Sequence, residues 1–137
     1  MGEFFNTLIA SEKLLPFFIG SFWAILFLQS GLDKVFDWKG NLGWLKGHFE
    51  KSPLGAFVTP LLGTLTLFEI AAGAISAFGV IHLLFTGYKN WIIAGLVLSF
   101  ISLLMLFFGQ RLAKDYPGAQ SIAIYFGIAL LSALALQ

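Results

Sequence analysis

An all-α integral membrane protein, a four-helix up-down bundle with an interfacial segment between helices one and two, is the fold this sequence predicts. Three observations carry the prediction. Of 137 residues, 58% are hydrophobic and 11% charged, where a soluble domain averages about 25% charged. The apolar residues gather into four runs, about 14–36, 57–85, 91–109 and 118–136, each near the ~20 residues that cross ~30 Å of hydrocarbon. The second and third connections, "TGYKN" and "GQRLAKDYPG", are short, and short connections place consecutive helices antiparallel. Lipid offers no partner for open strand edges, so the spans are helices. The length suits one domain, residues 1–137.

The first run is longer than the apolar part of a signal peptide and no small-residue cleavage site follows it, so it reads as a retained helix. It closes on "LQSGLDKVFDW", Leu28 to Trp38. The connection after it mixes Trp38, Leu42, Trp44, Leu45 and Phe49 with Lys39, Lys46 and Lys51. That mixture suits a stretch lying among lipid headgroups, and its glycines speak against a continuous helix there. Pro60 fits the first turn of the second span and Pro117 the start of the fourth. Gly20 and Ala24, Gly63, and Gly73 and Ala77 are small residues at which helices can approach closely. Trp23 reads as core, while Trp38, Trp44 and Trp91 read as interface anchors.

Basic residues set the orientation. Lys34, Lys39, Lys46, Lys51, Arg111 and Lys114 lie with loops one and three, against Lys13 and Lys89 on the other side. That asymmetry predicts loops one and three in the cytoplasm and both termini external.

Several functional classes fall away. A net charge of +1 offers no electrostatic footprint for nucleic acid. The absence of cysteine removes disulfide, thiol and Fe–S chemistry. No Ser-His-Asp set, phosphate loop or metal-ligand spacing is present, so no catalytic residue and no metal site are assigned. His48 and His82 read as interfacial or structural.

Glu69 is the outlier, the one charge between Lys51 and Lys89. A carboxylate at membrane depth costs roughly 2.5–3.5 kcal/mol on insertion scales, so it must face the bundle interior. At ~1.5 Å per residue, Glu69 counted from Pro60 lies about 13 Å deep, and Gln29, Ser102 and Tyr125 about 10 Å deep. Each of those three can donate to a carboxyl group, which predicts a polar layer, and a small cavity, around Glu69. Asp33, Lys34 and Arg111 would form its mouth, with Lys34 paired to Asp37 three residues on. By the same count Lys34 lies about 10 Å nearer the surface than Glu69. The expectation is therefore no direct Lys34–Glu69 pair, and a neutral acid bonded to Gln29 or Tyr125.

The four-helix plan, "SGLDK" at the end of helix one and "FEIAAG" in helix two together resemble the DoxX family of small prokaryotic membrane proteins. Its Gly-x-x-Lys closing the first helix is matched by Gly31 and Lys34, and its Glu followed by Gly in the second helix by Glu69 and Gly73. Many members carry an arginine early in helix one; none stands between Leu14 and Asp33 here. The resemblance implies an accessory or anchoring subunit of an inner-membrane oxidoreductase assembly, linked to a quinone, and not a stand-alone enzyme. Its partners would be the lipid bilayer and other membrane subunits or further copies of itself. A carrier of protons or small molecules, and a structural or assembly subunit, are the rival readings.

Overall fold

A computed structural model describes residues 2–4, 6 and 12–137. Its elements are α1 (Leu14–Phe36), α2 (Trp38–His48), a 3-10 turn (Gly55–Phe57), α3 (Val58–Thr86), α4 (Asn90–Leu112) and α5 (Tyr116–Ala135). No strand occurs among the described residues. Four of the helices, α1, α3 with its preceding 3-10 turn, α4 and α5, are long and apolar enough to cross a membrane, which makes the chain a multi-pass membrane protein.

The helix ends follow local chemistry. α1 breaks at Asp37, whose backbone leaves the helical region (φ −126°, ψ 54°). The Asn41 amide bonds back across the break to the Asp37 carbonyl at 2.8 Å. α3 ends on Gly87 at φ +80°, a left-handed position that glycine takes without steric cost. Asp115 caps α5, its carboxylate accepting from Gly118 N at 3.1 Å, with Pro117 in the first turn. The expected break in the interfacial segment is corrected: α2 is helical through Gly40, Gly43 and Gly47. Its exposed indole at Trp44 stacks on the His48 ring at a centroid distance of 4.6 Å.

Glycines set how the spans meet. A Cβ on Gly73 would fall 2.6 Å from Leu28 N, and one on Gly31 would fall 2.6 Å from Ile70 Cγ1 and 3.2 Å from Ile70 N. These contacts fix α1 and α3 as antiparallel neighbours with Leu28 beside Gly73 and Gly31 beside Ile70. Gly79 meets Ile92 and Gly95 meets Ser76 in the same way, fixing α3 against α4. α5 packs chiefly on α4, through contacts such as Phe100 edge-on to Phe126. It reaches α1 where Trp23 Nε1 donates to Ser132 Oγ at 3.2 Å. Trp23, Phe27, Ala72, Leu96 and Leu103 form the buried core between the spans.

Candidate functional site

Glu69 has no solvent exposure, and it is paired. Lys34 Nζ lies 3.2 Å from Oε1 and donates to Oε2 at 3.2 Å. The same ammonium donates to Ser30 Oγ at 2.9 Å and to the Ser30 carbonyl at 3.3 Å. Its three protons are thereby engaged. Oε1 faces the ammonium without hydrogen-bond geometry, so the pair is held by charge as much as by direction.

This corrects the expectation of no direct pair, and the reason lies in register and side-chain direction. Extending the Leu28–Gly73 and Gly31–Ile70 register places Lys34 opposite Leu67, only about 3 Å along the axis from Glu69. The estimate from helix ends failed because it counted Phe36 and Pro60 from one level, whereas the same register sets Phe36 opposite Leu65 on an α3 that runs for 29 residues, about 43 Å, well past a hydrocarbon core of ~30 Å. Side chains on a helix lean toward its N-terminus. On α1 that lean carries Lys34 inward; on α3 it carries Glu69 outward. The two therefore converge.

The other expected members of the layer fare unequally. Ser102 is fully buried, and the α3–α4 register sets it opposite Glu69. Its hydroxyl, however, donates to the Leu98 carbonyl of its own helix at 2.9 Å. Tyr125 is half-buried at about the same level and packs against the apolar core. Gln29 is exposed on the outer face of α1 and takes no part in the layer. Counting residues brought Ser102 and Tyr125 to the level of Glu69; it gave neither the rotation of Gln29 nor the level of Lys34.

The mouth is also redrawn. Asp33 is exposed and Lys34 turns inward to Glu69, not to Asp37. Arg111 is exposed, with its guanidinium 5.0 Å over the Tyr116 ring, a cation–π contact beside loop three. No group of three or more potential metal ligands occurs among the described residues.

Residues that sequence reading passed over complete the picture. Ser30 holds Lys34 through an i−4 contact, a spacing visible in the sequence once Lys34 is known to turn back. Ser76 is buried with an unpartnered hydroxyl. His48 Nε2 sits 3.4 Å from Gln110 Oε1 and 3.4 Å from Asp115 Oδ2, clasping α2 to the end of α4. His82 meets Thr86 on its own helix, at 3.2 Å. No family model, curated protein or solved structure matches this chain.

Proposed function

We propose that the chain is an accessory or anchoring subunit of a membrane oxidoreductase assembly, DoxX-like and quinone-linked, folded as an up-down four-helix bundle in a prokaryotic inner membrane. One convergence supports the reading. Gly31, Lys34, Glu69 and Gly73, which carry the resemblance, meet at a single α1–α3 interface, two as close-approach glycines and two as a buried ion pair. The ammonium of the pair is fully engaged, as suits a pin that holds two spans in register for a partner to pack against. Gentle extraction of the tagged chain from native membrane should bring down redox subunits at fixed stoichiometry together with quinone. A lone chain, free of redox partners and of quinone, would overturn the assignment.

A carrier of protons or small molecules is the second reading. It is supported by the buried hydroxyls on the α3–α4 face, Ser102 level with Glu69 and Ser99 and Ser76 beyond it. Flux through liposomes holding only this chain separates it from the subunit.

The charge asymmetry supports an orientation with loops one and three in the cytoplasm and both termini outside. Cysteines at Gly43 and Gln137 test this: Gly43 is exposed and a Cβ there meets nothing within 4 Å, and Gln137 is exposed. An impermeant thiol reagent should label Gln137→Cys on whole cells and Gly43→Cys only on inverted vesicles; the reverse pattern inverts the topology.

A further inference from the structure

A second feature lies apart from the ion pair. Between the interfacial helix and the adjoining ends of α3 and α4 is a cavity of about 200 Å³. Leu45 and Phe49 roof it, Val58 and Leu62 form its inner wall, and Met105 and Gln110 line it from α4. Neither Lys34 nor Glu69 touches it. Its lining is almost wholly apolar. The Thr64 hydroxyl is already bonded to the Pro60 carbonyl at 2.9 Å, so little remains that would hold water, which needs two to four polar partners.

Three observations identify what fits. The cavity is open where Leu61 and Phe108 stand 43% and 60% exposed, on faces of membrane-spanning helices, so its opening gives onto lipid. Apart from Thr64, whose hydroxyl is bonded within its own helix, its polar side chain is Gln110 at one end, which meets His48. The roof is a helix that presents an exposed Trp44, Lys39 and Lys46, a composition suited to headgroup level. We infer that this cavity is a binding site for the hydrocarbon chain of one bilayer amphiphile, its head at the level of α2 and its tail lying between α3 and α4. The His48 clasp to Gln110 and Asp115 holds the roof over the chain.

The site is independent of the subunit assignment, and it can be tested in the isolated full-length chain. Val58 and Leu62 are only 5% and 2% exposed, so a bilayer chain reaches them only by entering the cavity. The protein is reconstituted in phosphatidylcholine vesicles containing a trace of phosphatidylcholine with a diazirine in its palmitoyl chain. After irradiation, adducts are mapped by mass spectrometry. Adducts at Val58 and Leu62 are expected, and Met105→Trp, which fills the space, should reduce them about tenfold, equivalent to ~1.4 kcal/mol of binding. Adducts at the outward-facing Leu67 and Leu104 should not change. Phe49→Ala enlarges the cavity and should raise the inner labelling, so the test does not rest on one variant folding. A diazirine polyprenol in place of the phospholipid shows whether the chain accepted is acyl or isoprenoid. Labelling confined to outward-facing residues with both probes, or inner labelling indifferent to Met105→Trp and Phe49→Ala, would overturn the site.

Discussion

Lys34→Ala is expected to destabilise the protein more than Glu69→Ala does. Removing one member of a buried ion pair typically costs ~3–5 kcal/mol, because the other charge is left buried and alone. Here the two members differ in their escape. The Lys34 side chain is 16% exposed and ends near the helix terminus, so without Glu69 its ammonium can swing to the boundary and recover water. That places Glu69→Ala near the lower end of the range. Glu69 has no exposure and no other ion-pair partner among the described residues, so without Lys34 it has nowhere to turn. Replacing both, as Lys34→Met with Glu69→Leu, should restore most of the stability, since an apolar pair of similar volume leaves no charge unmatched. Steric-trapping measurements in bicelles would give all three values. Equal and small losses for both single variants, comparable to that of the exposed Leu67→Ala, would show that the pair contributes nothing. Failure of the double variant to recover would mean that the charges hold something besides each other.

Gly73→Leu should be among the most damaging single changes in the chain. Even a Cβ there would stand 2.6 Å from the Leu28 backbone nitrogen and 3.1 Å from its Cα. A backbone cannot rotate aside as a side chain can, so α1 and α3 must separate. Overpacking typically costs ~1–3 kcal/mol and at times more; a branched side chain driven against a helix backbone belongs at the upper end. Separation would also stretch the Lys34–Glu69 contact, adding the loss just described. Gly63→Ala is the control. Its Cβ would meet only the Trp38 ring, at 3.8 Å, and a helical glycine replaced by alanine gains up to about 1 kcal/mol. Thermal unfolding followed by fluorescence-detected gel filtration should therefore move in opposite directions for the two variants. A tolerated Gly73→Leu would mean that the α1–α3 contact is looser than its glycines indicate.

The sequence carried the number of the spans because hydrophobic length alone decides it. Leu14–Phe36 was legible at both ends, since Lys13 and Asp37 bracket a mainly apolar run. The depth of Ser102 was legible for the same reason, as rise per residue needs no tertiary information. What was hidden depends on two helices at once. Gln29 and Ser30 are neighbours in sequence, yet one faces outward and the other holds Lys34. Nothing within α1 chooses between them, because its flanks are apolar all round. The choice was made by Gly31 and Gly73, whose close contact rotates α1 and slides it along α3. Gly79 and Gly95 escaped notice as contact points because glycine is common in spans, and only a facing backbone distinguishes a packing glycine from an idle one.

The ion pair joins two consecutive spans, and this bears on how the chain is made. α1 and α3 leave the ribosome before α4 and α5 do. α3 carries an acid that would burden it alone in hydrocarbon, by roughly 2.5–3.5 kcal/mol for an ion at mid-depth, and α1 carries the cation that meets it. In the paired helices those charges cancel, and the glycine contacts that align them also belong to these two spans alone. The first half of the protein therefore contains the full complement of groups needed to settle its own acid in the bilayer. The later helices are added to an already neutral pair.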